Sequence, residues 1–129
     1  MTEPEWLTVE IVLDAHGEQL ALFGGKDGIR DHGLLESALA RAPNKWAYGE
    51  TGIPALAAAY GFGLSRNHPF IDGNKRTALT AIIMFLGLND LRLTAGKADV
   101  TAAMLALAAG EIDEDMLAKW IADNVAPDA

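Results

Sequence analysis

The chain has 129 residues, 50% of them hydrophobic, with ten Lys and Arg against eighteen Asp and Glu and a formal net charge of −8. This length suits a single domain over residues 1–129 with its own core, and the acidic balance argues against direct nucleic acid binding. With no cysteine, disulfides, thiolate nucleophiles and cysteine-ligated metal centres are excluded, and a reducing, cytoplasmic setting is expected.

Residues Met1 to Glu10 carry acids and no base, unlike a secretory leader, and no uncharged apolar run is long enough to span a bilayer. No membrane partner is expected. Thr8 is placed as the N-cap of a first helix, in which Val9, Val12, Leu13, His16 and Leu20 recur at three- and four-residue spacing. Gly24 and Gly25 stop it. A second helix starts at Asp31 or His32, carries Leu34, Leu35, Ala38 and Leu39, and is expected to end at Pro43. Residues 44–53, which include Trp46, Tyr48, Gly49 and Gly52, read as a flexible segment or short hairpin.

From Pro54 a helix rich in small residues runs through about Arg66. Its Ala57, Ala58, Ala59, Gly61 and Gly63 permit close helix approach, and Leu56, Tyr60 and Leu64 are available for packing. Pro69 disfavours helical geometry at His68, so the chain breaks there. The next helix begins near Gly73 or Asn74 and ends at Asn89. Leu91-Arg92-Leu93 reads as a short extended piece, followed by a helix from about Lys97 to Ala109 that Gly110 closes. Asp113 caps a last helix with an apolar stripe of Met116, Leu117, Trp120 and Ile121. The fold class is all-α.

The segment from His68 to Thr77 concentrates the chemistry. A helix starting near Asn74 presents unpaired N–H groups and the positive end of its dipole, which suits an anion. Gly73 allows a tight turn at the entry, and successive backbone donors there can form a nest. Arg66, Lys75 and Arg76 add a local cationic pocket suited to polyphosphate. Asp72 would repel phosphate unless it holds Mg2+, a hard cation that bridges carboxylate and phosphate oxygens. His68 supplies a general base, since an ordinary imidazole, with a pKa of about 6.5, is already populated in its neutral form. Asn74 orients a phosphate, a metal-bound water or the turn itself. These roles describe phosphoryl or nucleotidyl transfer to a hydroxyl. Phe70 reads as a core anchor for the loop.

The same residues resemble the active loop of the Fic/Doc superfamily, in particular its death-on-curing toxin branch from type II toxin–antitoxin systems. That loop has a His, a Phe two positions later, an acid, a small residue, Asn, then Lys or Gly, and Arg. His68, Phe70, Asp72, Gly73, Asn74, Lys75 and Arg76 occupy those positions. The likeness extends over Gly28 to Leu39, the Ala-rich helix and Ala109-Gly110-Glu111. It implies a compact all-α Fic/Doc-like bundle, with the active loop between two central helices and a short flap, assigned to residues 44–53, that aligns a target segment.

By that resemblance His68, Asp72, Lys75 and Arg76 are catalytic, with Asp72 the Mg2+ ligand. Arg66, Gly73, Asn74, Lys75 and Arg76 hold the phosphates of ATP. Most Fic enzymes have a second Gly where this chain has Lys75, and they transfer AMP. The death-on-curing toxins have Lys, and are similar protein kinases that phosphorylate a threonine of elongation factor Tu. The expected function is therefore a translation-inhibiting toxin kinase held by a cognate antitoxin. The alternatives are a Fic-type AMP transferase and a non-catalytic nucleotide- or protein-binding module in which Asp72 and Lys75 pair with each other. Gly73 and Thr80 depart from the best-known kinase of the branch, which has Ala and Asn there.

Overall fold

The computed structural model describes residues 2–128. These form α1 (Val9–Phe23), α2 (His32–Ala47), α3 (Ile53–Asn67), α4 (Asn74–Leu88), β1 (Leu91–Leu93), α5 (Lys97–Ala108), α6 (Glu114–Ala122) and β2 (Val125–Pro127). The architecture is the expected all-α helical bundle. The side chains of Thr8, Asp31 and Asp113 accept the backbone N–H of Ile11, Leu34 and Met116, so each supplies an N-cap for an otherwise orphaned donor. α1 stops where Gly24 takes a φ of 78°.

α3 is the central element, packed against α2, α4 and α6. Ala57, Ala58, Ala59, Tyr60 and Leu64 are fully buried on it. Two glycines are required for this approach. A Cβ on Gly61 would lie 2.5 Å from Ile82 of α4, and one on Gly63 would lie 3.1 Å from the backbone of Ala38 in α2. Tyr60 spans the core to the N-terminal segment, where its hydroxyl accepts the Leu7 N–H at 3.1 Å. Burial pushes its pKa up to about 12 against the opposing effect of that bond.

Three elements differ from the sequence reading. α2 does not end at Pro43; it continues to Ala47 with the proline inside. An interior proline costs roughly 3 kcal/mol, and tertiary contacts offset it. Trp46 packs edge-on against Trp6 with centroids 6.2 Å apart, and Lys45 pairs with Glu114. Residues 44–53 are consequently neither a hairpin nor a flap beside the loop. Their first part is the last turn of α2, and the remainder is a short turn in which Glu50 accepts the Gly52 N–H. This turn lies at the opposite end of α3 from His68, roughly 22 Å away along the helix axis. The third difference is β2, which pairs antiparallel with β1 in the register Leu91↔Pro127, Arg92↔Ala126 and Leu93↔Val125. In α6 the buried stripe is Leu117 and Ile121, while Met116 is 52% exposed.

Glu114 ties α6 to α2, accepting from both Arg41 and Lys45. Burial works to raise its pKa, but the hydrogen bonds and charges of Lys45 and Arg41 together outweigh it, and the carboxyl is held below its ordinary range. A depressed carboxylate stabilises the fold above its unfolded pKa, about 4.3, and that contribution fades as pH falls through the folded value. Glu114→Ala should therefore cost about 2 kcal/mol at pH 7 in urea melts followed by Trp fluorescence. The difference from wild type should shrink below pH 4, whereas a pH-independent difference would show that the ion pairs contribute little.

Candidate active site

The loop between α3 and α4 is held at nearly every peptide. His68, the C-cap of α3, adopts a left-handed conformation with φ 46° and ψ 56°, which costs a non-glycine residue roughly 1–2 kcal/mol. Arg30 sustains it by donating Nε to the His68 carbonyl and Nη2 to the Asn67 carbonyl, both at 2.7 Å. The backbone around Arg30 completes the support. The N–H groups of Arg30 and Asp31 both donate to the Pro69 carbonyl, the Ile71 N–H donates to Gly28, and Ile29 forms an antiparallel bridge with Phe70. Gly28 is favoured here by its φ of 125°, a conformation that residues with a Cβ rarely adopt. The strand-like neighbour of the loop is therefore residues 28–30.

Asn74 is 7% exposed, and its side chain faces back into the loop. Its Oδ1 accepts the Phe70 N–H at 3.0 Å and its Nδ2 donates to the Phe70 carbonyl at 2.9 Å. The same Nδ2 lies 3.4 Å from His68 Nδ1. Asn74 is thus the brace of the loop. Gly73, the N-cap of α4, takes φ 79° in the left-handed region and turns the chain into the helix. No described residue accepts the N–H of Asn74, Lys75 or Arg76. Those three donors and the helix dipole face a cleft of about 300 Å3 lined by His68, Ile71, Asp72, Gly73, Asn74, Lys75 and Arg76. The Arg76 guanidinium lies 4.6 Å over the Phe23 ring, which leaves its in-plane N–H donors available.

Asp72 accepts the Gly73 N–H on Oδ1 at 2.9 Å and the Lys26 N–H on Oδ2 at 3.3 Å. Among the described residues it forms no ion pair with Lys75. Lone pairs therefore remain on an exposed carboxylate. Among the described residues no three His, Cys, Asp or Glu side chains gather as a metal cluster. A single carboxylate nevertheless fits Mg2+, which takes one or two protein oxygens and completes its shell with phosphate oxygens and water.

The structure separates Arg66 from this set. Its guanidinium lies 5.5 Å over the Phe62 ring and lines a second cleft of about 350 Å3, with Ser65, Gly110 and Asp113, on the other side of His68. Only His68 is common to both clefts. Thr80 makes a local bond, donating to the Arg76 carbonyl at 2.9 Å.

The profile of the Fic/DOC family matches residues 6–86. The chain belongs to the Fic/DOC family. Among its relatives is Toxin Doc of Mycolicibacterium smegmatis (strain ATCC 700084 / mc(2)155), 45% identical over 94 residues that cover 70% of this chain and 69% of that protein. Another is Protein kinase doc of Escherichia phage P1, 32% identical over 88 residues, 67% of this chain and 70% of the relative. The match spans α1 to α4 and includes two contributors that the sequence reading left without a role in this Fic/DOC loop, Arg30 and His16. His16 lay in the apolar spacing of α1, and only its polarity within that stripe marked it. Among the described residues no helix is long and apolar enough to cross a membrane.

Asn74→Ala would leave both the N–H and the carbonyl of Phe70 without partners. It should destabilise the fold by about 2 kcal/mol or more, and amide exchange at Phe70 should accelerate far more than exchange in α6. Equal acceleration at both places would mean that Asn74 supports the whole bundle rather than the loop.

Proposed function

We propose that this chain is the toxin of a toxin–antitoxin pair and a protein kinase-like transferase. It moves the terminal phosphate of ATP to a threonine hydroxyl of elongation factor Tu and thereby stops translation. The observation that carries this reading is the convergence of His68, Asp72, Lys75, Arg76 and three open backbone donors on one cleft. Identity to Toxin Doc and to a relative called a protein kinase supports it.

The N–H groups of Asn74, Lys75 and Arg76 would bind phosphate oxygens as a preformed anion site that needs no reorganisation. Lys75 and Arg76 would add charge, Arg76 by forking onto two oxygens and Lys75 as a mobile point charge. Asp72 would hold Mg2+, which when bound neutralises phosphate charge. The target oxygen bonds to the terminal phosphorus, the bond from that phosphorus to its bridging oxygen breaks, and ADP leaves. His68 takes the hydroxyl proton, for which either neutral tautomer of its ring has one lone pair. Lys75 favours phosphoryl over AMP transfer, because the AMP-transferring members that this loop resembles have a Gly at its position. Arg66, in its separate cleft, is assigned to the approach of the target or of a distal part of the nucleotide. A cognate antitoxin would control the enzyme by folding a tail onto it near α4.

ATP labelled on its terminal phosphorus should pass label to purified elongation factor Tu, while ATP labelled on the α-phosphorus should not. Transfer of the α label alone would replace this reading with AMP transfer. ATP binding without either transfer would leave a binding module. His68→Ala should keep the fold and ATP affinity while slowing transfer roughly 100- to 10000-fold; an undiminished rate would remove His68 from the chemistry.

A further inference from the structure

His16 is 3% exposed in the middle of α1, far along the sequence from the loop, yet it packs against the inner side of the loop that lines the cleft. Its ring stacks on Phe70 with centroids 3.8 Å apart and planes 9° apart. Its Nε2 lies 2.8 Å from the Asp72 carbonyl oxygen. A carbonyl only accepts, so Nε2 is the protonated donor of this pair. The same edge of the ring underlies the turn, because a Cβ on Gly73 would sit 3.6 Å from His16 Cδ2 and Nε2.

These contacts bear on the one peptide that decides the polarity of the anion site. The Asp72–Gly73 peptide joins the carboxylate to the left-handed glycine that launches α4. Glycine at that position permits more than one orientation of this peptide. With the carbonyl bonded to buried His16, the Gly73 N–H meets the Asp72 carboxylate, and the open donors of Asn74, Lys75 and Arg76 face the cleft. Rotation of the peptide would turn a carbonyl dipole toward an incoming phosphate and release the carboxylate from the Gly73 N–H.

We propose that His16 is a positioning residue of the anion site, holding the Asp72 carbonyl turned inward so that only donors meet the phosphates. The proposal rests on reading the cleft as the place where the triphosphate of ATP binds. His16 acts through the backbone of Asp72 and Gly73 and does not touch the reacting atoms.

Two variants separate the donor from the ring. His16→Gln keeps an N–H close to the Nε2 position and removes the stack, whereas His16→Phe keeps the stack and removes the donor. Calorimetry with inorganic pyrophosphate and Mg2+ should show His16→Phe weakened roughly tenfold or more, and His16→Gln within about threefold of wild type. The KM for ATP should rise with the same ranking, while thermal midpoints should not follow it. Equal weakening in both variants, or pyrophosphate affinity unchanged in His16→Phe, would overturn the proposal. A test without substitution uses the wild-type protein. The His16 Nε2 proton should be visible by NMR, slow to exchange, and retained on addition of pyrophosphate; its loss on binding would mean that the peptide turns over and the proposal is wrong. Wild-type protein that binds pyrophosphate but transfers no phosphate would overturn the kinase reading alone, and the affinity ranking would still decide the role of His16. Wild-type protein that binds no pyrophosphate would overturn both.

Discussion

The side-chain amide of Asn74 closes on the peptide of Phe70 in both directions, one bond in and one out, and the geometry of the cleft depends on that reciprocal pair. Both groups are buried, so each unmade bond would carry the desolvation penalty of an isolated polar group, and the amide cannot rotate without losing two partners. The first turn of α4 is thereby locked to the loop that precedes it. With the loop fixed, the unpaired N–H groups at the start of α4 have one direction to point, and His68 and Asp72 are carried to its rim. The left-handed conformation of His68 is stabilised from outside, by Arg30 gripping two consecutive carbonyls. Strain of this kind persists only where the surroundings over-determine it, and here they do.

That local rigidity is continuous with the core. α3 ends at the loop and α4 begins from it, and the two helices approach closely because Gly61 leaves room for Ile82. Phe70 is fully buried between the loop and His16, so displacing the loop would open an aromatic-sized void. The unpaired donors at the start of α4 are consequently fixed in place by the fold itself. Preorganised donors suit a reaction whose main demand is to position and neutralise phosphate charge. The chain as a whole is acidic, with a net charge of −8, while Lys75 and Arg76 stand together at the cleft.

Much of this was legible in the sequence where the determinant was local. Thr8, Asp31 and Asp113 cap helices through bonds three residues away, and Gly24 ends α1 through its own φ, so short-range chemistry was enough. The run from His68 to Arg76 also located the cleft, because the loop, the glycine turn and the helix start are contiguous. What escaped was set by contacts distant in sequence. Pro43 failed to stop α2 because Trp6 and Glu114 hold the turn beyond it, and β2 exists because β1 lies beside it. Arg30 and His16 reach the loop from 38 and 56 residues away respectively, and neither spacing carries a periodic signal. Arg66 looked like part of the cationic cluster by proximity along the chain. A helix terminus and a reversal of direction at His68 instead send its side chain into the other cleft. Residues 44–53 are rich in aromatic and glycine residues, yet the edge that pairs with the loop is the plain segment from Gly28 to Arg30.

Where polyphosphate settles on the protein decides its function. Titration of the 15N-labelled protein with ATP and Mg2+ measures this directly, residue by residue, at the backbone amides. The largest shifts are expected at Asn74, Lys75 and Arg76, with smaller ones at Gly73 and His68 and little change at Tyr48 or Gly49. Largest shifts confined to Arg66 and Gly110, with the amides at the start of α4 unmoved, would contradict the anion site and the function built on it.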